Sequence, residues 1–344
     1  MVRNIPARAH LLLGALLVVA VTPTSSRSAE GHPVAPHVPP NFLAGAYARG
    51  LDHPAALLVL PNGDVLVAEA HGISLLRDTD GDGVADIQLP LITGLEQPLG
   101  VALRRDRLYV SNADGIHACV YLIGRSRLTG PCRLIAELPE NMGLPVAGGL
   151  AFNRDESTLY VALAGRLLPR PATPASVYAL QPNGKSGRLH ASLLGIPAGL
   201  ALEPNRGQLW AVDTGAVPPT LLAIGGGLPS VALAGDAVPA ALVFYGRDRY
   251  PKAFRGGAFV VDQAGAGRVL AVPFSDARPS GPPEEFVGGF DGAGGPAGRP
   301  VALAVTRDGA LLVADGSRGV VWRVAFKCGA CTPDPVAASR AARP

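Results

Sequence analysis

The run Asp78-Thr79-Asp80-Gly81-Asp82-Gly83-Val84-Ala85-Asp86 carries the densest chemical signal in this 344-residue chain. Carboxylates stand at its first, third, fifth and ninth positions, with Gly83 at the sixth. Alternating Asp residues on a tight loop converge their oxygens on a hard cation, and the glycine permits the sharp turn. Leu89 occupies the twelfth position, where a helix-flanked calcium loop has Glu. The spacing therefore predicts a short calcium loop without flanking helices, with Asp78, Asp80, Asp82 and Asp86 as metal ligands and a structural role. The alternative is an acidic turn that holds no ion.

Other polar residues stand alone beside apolar runs, among them His53, Glu69, Asn112, Asp213, Gln263 and Asp315. Asp and Asn just after a strand are common turn formers, because their side chains bond the local backbone. No phosphate-binding Gly-Lys loop, His-Glu-x-x-His zinc motif or Gly-x-Ser-x-Gly elbow occurs. The Gly-rich stretches 225–227 and 292–298 precede no helix and imply no phosphate site.

Something must hold these residues, and the chain is organised as a repeat. Pro54-Ala55-Ala56-Leu57 leads to Val65-Leu66-Val67-Ala68, and Pro98-Leu99-Gly100-Val101 to Arg107-Leu108-Tyr109-Val110. The pattern returns at Gly148, Pro197, Pro239 and Pro300. Apolar runs bounded by Asn-Gly or Asp-Gly read as strands joined by tight turns. Most copies continue into a third run, and a weaker fourth precedes the next copy. Six copies of four strands predict an all-β fold, a six-bladed β-propeller over residues 50–327. Small residues begin each copy because the innermost strands converge on the central axis. Residues 41–50 offer a further strand within an extended lead-in of residues 30–49.

Composition supports this. Hydrophobic residues make up 48% and charged ones 17%, with 43 Gly and 33 Pro, which favours strands and turns over helices. Residues 1–29 read as a secretory signal: Arg3 and Arg8 precede an apolar stretch from Leu11 to Val21, and Ser26-Arg27-Ser28 supplies small residues near a cleavage point. Export to a periplasm or the exterior follows. The formal charge of +3 falls close to neutral without Arg3, Arg8 and Arg27, which argues against nucleic acid as a partner. The stretch is too short for an ordinary membrane span. Cys119 and Cys132 flank a hairpin-like segment and can bridge its arms. Cys328 and Cys331 form a Cys-x-x-Cys pair at the start of an Ala-, Arg- and Pro-rich tail over residues 328–344, and structural disulfides suit an oxidising compartment.

Leu76-Arg77 with the acidic run, Leu209-Trp210-Ala211-Val212, Phe254-Arg255-Gly256-Gly257-Ala258-Phe259-Val260 and Gly298-Arg299-Pro300 resemble the sorbosone dehydrogenase branch of the quinoprotein sugar dehydrogenases. The resemblance runs from about Gly50 to Phe326. It implies a six-bladed propeller that binds pyrroloquinoline quinone with the help of calcium and oxidises aldoses or related sugars at the channel. In such enzymes a His acts as base while hydride passes to the quinone. Here Pro145 stands at the position of that His, and proline accepts no proton. Leu194-Gly195-Ile196-Pro197 replaces an Arg-Asn pair, and Gln263 to Arg268 keeps only the final Arg of a His-bearing run. Arg268, Arg299 and Asp315 match positions near the cofactor pocket and are the residues expected to bind it. The chain thus reads as a sugar-dehydrogenase-like oxidoreductase with a divergent site. The alternative is a non-catalytic secreted propeller that binds a sugar-like ligand or a protein. A lactonase-like hydrolase would need Glu69, Asn112 and Asp213 to converge on a metal.

Overall fold

The computed structural model describes residues 33–112, 114–137, 149–163, 175–193, 195, 197–292 and 296–327. The signal segment, Pro145 and the Cys328–Cys331 pair lie outside them. Within them the chain forms strands, with one 3-10 turn at Lys252–Phe254 and no α-helix.

Strand β1 (Phe42–Ala48) comes first. Blade 1 follows with β2 (Ala56–Val59), β3 (Val65–Glu69), β4 (Gly72–Arg77) and β5 (Ile87–Thr93). Blade 2 comprises β6 (Gly100–Arg104), β7 (Arg107–Ser111), β8 (Gly115–Val120) and β9 (Cys132–Glu137). Blade 3 comprises β10 (Leu150–Phe152), β11 (Leu159–Leu163), β12 (Ser176–Leu180) and β13 (Gly187–Ser192). In blade 4 the strands are β14 (Pro197–Leu202), β15 (Leu209–Asp213), β16 (Thr220–Ala223) and β17 (Val231–Ala232). Blade 5 holds β18 (Pro239–Phe244), β19 (Ala258–Asp262) and β20 (Arg268–Val272). A small hairpin, β21 (Phe274–Ser275) and β22 (Arg278–Pro279), then leads to its outer strand β23 (Glu284–Val287). Blade 6 has β24 (Pro300–Val305), β25 (Leu311–Asp315) and β26 (Val320–Phe326).

Blade 6 lacks a fourth strand of its own, and β1 supplies it: β1 pairs antiparallel with β26 from Phe42 opposite Phe326 to Ala48 opposite Val321. The expected strand in residues 41–50 therefore belongs to the last blade, and the propeller begins inside the lead-in. A strand from the start of the chain thus completes the last sheet and covers the edge that β26 would otherwise leave unpaired. The inner strands β2, β6, β10, β14, β18 and β24 neighbour one another in turn, and β24 returns to β2. Six blades form a β-propeller.

Six hydrophobic clusters lie between adjacent blades, one at each junction around the ring. Strands of a blade are covered on both faces, so the second strands read as unbroken apolar runs; Val65 to Ala68 are all fully buried. The junction between blades 5 and 6 is aromatic, with Phe42, Tyr250, Phe259, Phe286 and Trp322 packed together. Cys119 and Cys132 are opposite each other on β8 and β9 and form a disulfide.

Candidate functional site

In every blade the inner strand starts, and the antiparallel second strand ends, at the same mouth of the ring. Loops entering inner strands and loops leaving second strands therefore share that mouth. The channel behind it is a cavity of about 300 Å³ lined by apolar inner-strand residues such as Ala56, Gly100, Leu150, Ala198, Ala241 and Leu303. Polar chemistry is confined to the rim.

Three blades repeat one device there. Asp213, Asp262 and Asp315 end their second strands opposite Pro197, Pro239 and Pro300. The Oδ1 atom of each accepts the backbone N–H of the segment entering the inner strand, from Gly195, Val238 and Arg299 at 2.8 Å. The same oxygen accepts a second N–H from its own turn, at Gly215, Ala264 and Arg318. Proline has no N–H of its own to tie the entry down, so the carboxylate holds the preceding segment instead. In blade 1, Glu69 performs the same service for the Asp52 N–H.

The expected cofactor residues stand at this mouth on blades 5 and 6, each with its own partners. Arg268 donates from Nε at 3.0 Å and Nη2 at 2.9 Å to Asp262 Oδ2, and its Nη1 is 4.0 Å from Glu285. Arg299 is exposed, and its guanidinium donates to Gln263 Oε1 at 2.8 Å. Gln263 in turn donates to the Pro300 carbonyl at 3.0 Å, so the two loops are cross-braced. Asp315 is fully buried; beyond the two N–H groups, Trp322 Nε1 lies 3.4 Å and Arg318 Nη1 3.6 Å from its Oδ2. Its carboxylate faces the protein and positions Arg299 through the backbone.

Arg318 is a cation that reading the sequence overlooked. Its side chain is 4% exposed, Nε donates to Pro296 O at 2.8 Å, and Nη1 has no hydrogen-bond partner. The only signal in the sequence is its place three residues after Asp315 in a turn. On blade 2, Ser111 Oγ and Asn112 Oδ1 are likewise buried without partners at this end. His117 lies 3.1 Å from Asp114; burial works to raise that carboxyl's pKa, but the His117 contact outweighs it and leaves the pKa below its ordinary value. Glu69 and Asp213 bond to backbone N–H groups. Among the described residues, no three His, Cys, Asp or Glu side chains gather at this mouth as a metal set.

The acidic loop lies at the other end of blade 1, between β4 and β5. Asp78, Asp80 and Asp86 place ligand oxygens within 4.8 Å of one another, and Asp82 stands outside this group. The loop folds on its own carboxylates: Asp78 accepts the Gly81 and Gly83 N–H groups at 2.7 and 2.9 Å, and Asp86 accepts from Thr79 N and Oγ1. Those Thr79 bonds hold the Asp86 carboxyl below its ordinary pKa. Oxygen donors on a turn of this kind suit a hard divalent cation. Beside the loop is a polar cavity of about 410 Å³ lined by Tyr47, Asp64, Asp78, Arg307, Asp308 and Arg323, among others. Burial, then the Asp78 and Asp64 carboxylates, raise the Tyr47 hydroxyl well above its ordinary pKa.

No protein-family model matches the chain, and no curated protein matches its sequence. Solved structures do share the fold. The calcium structure of a Trichoderma reesei carbohydrate-active enzyme superposes with a TM-score of 0.69 at 14% identity, covering 86% of this chain and 98% of the other. The holo form of the pyranose dehydrogenase PQQ domain from Coprinopsis cinerea gives 0.69 at 13% identity, covering 87% and 99%. The PQQ-bound aldose sugar dehydrogenase from Streptomyces coelicolor gives 0.60 at 18%, covering 84% and 99%. At these identities the likeness is one of fold. No described helix is long and apolar enough to cross a membrane.

Proposed function

We propose that this chain is an exported propeller of the quinoprotein sugar dehydrogenase lineage, of the sorbosone dehydrogenase type, with a divergent mouth that binds a sugar-like small molecule. The lineage is supported by the shared fold of pyranose and aldose dehydrogenases that carry PQQ. Export is supported by the signal-like residues 1–29 and by the Cys119–Cys132 disulfide.

One observation carries the divergence: the cations of the mouth are spent on the protein itself. Pyrroloquinoline quinone bears three carboxylates and needs several fixed cations, with a base near its reactive carbonyl. Arg268 is bound to Asp262 and Arg318 faces Asp315; of the three guanidiniums only Arg299 has no carboxylate partner. The described residues of this mouth do not fit the quinone, and no redox step is assigned to them. Arg299, Gln263 and the exposed edge of Arg268 remain as hydrogen-bonding groups for the hydroxyls of a polyol. Calcium belongs to the acidic loop at the opposite end, with Asp78, Asp80 and Asp86 as ligands and Asp82 beside them.

The test is to mix the purified protein with pyrroloquinoline quinone and calcium, then follow dye reduction across a panel of aldoses beside calorimetry of aldose binding. Binding without dye reduction is the expected result. Quinone-dependent turnover would overturn this reading in favour of an active sugar dehydrogenase, and absence of any aldose binding would remove the ligand. Protein recovered from the exporting host should begin near residue 30.

A further inference from the structure

Three guanidiniums stand at the mouth on blades 5 and 6, and the chain treats one of them differently. Arg268 is bound to the buried Asp262, and Arg318 faces the buried Asp315. Arg299 is oriented instead by a carboxamide. Gln263 Oε1 accepts from its Nη2 at 2.8 Å, and Gln263 Nε2 is itself fixed on the Pro300 carbonyl at 3.0 Å. The backbone N–H of Arg299 is held by Asp315 Oδ1 at 2.8 Å. A carboxylate in the place of Gln263 would fix the guanidinium and neutralise it; the amide fixes it and leaves its charge unbalanced. An exposed arginine tied at both backbone and side chain has already given up part of the freedom that binding would otherwise remove.

What this charge can receive follows from its geometry and neighbours. A guanidinium carries its donors in a planar fork, so a single bond on Nη2 leaves one two-pronged edge intact. Among the described residues Arg299 makes no other side-chain hydrogen bond. A second cation lies against the same backbone. The Arg318 side chain is 4% exposed, its Nη1 has no hydrogen-bond partner, and a Cβ on Gly298 would stand 3.0 Å from that nitrogen. This unanswered N–H adds to the positive potential at the segment that leads into Arg299. On the other side the Gln263 N–H bonds the Val238 carbonyl at 2.9 Å, which sets the exposed Val238 beside the pair. The C–H face of a sugar ring has an apolar surface there.

We propose that the ligand of this mouth is a sugar acid, whose carboxylate is taken two-pronged by Arg299 and whose hydroxyls meet the remaining donors of Gln263 and Arg268. The inference rests on the sugar-binding reading of the mouth and names the class of sugar. A carboxylate fits better than a phosphate ester. One unbalanced guanidinium answers one negative charge, and the other two guanidiniums of this rim are already paired with carboxylates.

The test is calorimetry on the purified protein with D-glucuronate and D-galacturonate beside D-glucose and D-galactose, and with the phosphate ester of D-glucose as a further arm. Each uronate should bind about tenfold more tightly than its parent sugar. That advantage should shrink as salt is raised, while binding of the neutral sugars changes little. Arg299→Gln removes the charge and Gln263→Glu neutralises it in place, so either should abolish the advantage; thermal melts check that both variants stay folded. Equal affinity for acid and parent sugar would overturn the sugar-acid assignment and leave the sugar-binding reading standing. So would an advantage that survives both substitutions, or tighter binding of the phosphate ester than of the uronates. No binding of any of these ligands would overturn both.

Discussion

At the scale of single residues, the same side-chain type does different work according to what it faces. Asp315 and Asp262 are buried and tie strand entries, while Arg299 stands exposed on a backbone that Asp315 holds. Arg299→Ala should leave stability within about 0.5 kcal/mol yet abolish aldose binding, as read by thermal melts beside calorimetry. Asp315→Ala should cost roughly 3 kcal/mol or more, because it strands the buried Arg318 charge. Asp64 supplies a pH dependence. Burial works to raise its pKa, but the two-pronged bond from Arg77, at 2.7 Å to each oxygen, and the Asn62 donor outweigh it and lower the folded value. A carboxyl with a lowered folded pKa adds stability above its unfolded pKa and loses it as pH falls through the folded value. The contribution is therefore complete at neutral pH and lost progressively below the ordinary value of 3.8. Asp64→Asn should melt lower at neutral pH, by roughly 3 kcal/mol, and show a flatter acid limb than the parent. The repeated Asp residues were legible as turn formers; their bonds to the segment entering their own blade were not, because those partners lie 16 to 24 residues away in sequence.

At the scale of elements, the blade pattern was open to reading because strands buried on both faces need continuous apolar runs and tight turns need Gly. Gly309 at φ +86° lets its carbonyl accept the buried Tyr245 hydroxyl at 2.7 Å, and burial pushes that hydroxyl's pKa up to about 12. Tyr250 braces the neighbouring strands, donating to Val324 O at 2.6 Å and accepting from Leu311 N at 3.0 Å. Tyr250→Phe should cost about 1–3 kcal/mol in denaturant titration, since it unpairs buried backbone groups. The Cys119–Cys132 disulfide closes a separation of 13 residues. Its reduction should lower stability by about 3 kcal/mol.

For the whole molecule, closure is the decisive feature. β1 is remote in sequence from β26, yet Phe42 packs edge-on against Tyr250 at 4.8 Å and against Phe286 and Phe326 at 5.0 Å. Deleting residues up to Gly50 should abolish the single cooperative unfolding transition, because it exposes both an aromatic core and the unpaired edge of β26. A truncated chain that still melts in one transition at the parent's temperature would show that closure contributes little.

The sequence by itself determined the repeat, the number of blades, the strand periods and the loop of alternating carboxylates, since each is a local pattern with a local physical cause. Tertiary structure decided what no local pattern encodes. It gave the first strand to the last blade, turned Asp315 inward and left Arg299 exposed. It also paired Arg268 with Asp262 and set the acidic loop, with which the chemistry began, at the far end of the ring from the mouth. Charge and hydrogen-bonding capacity are properties of a residue, but whether they are free for a ligand depends on which neighbouring groups in the folded chain have already claimed them.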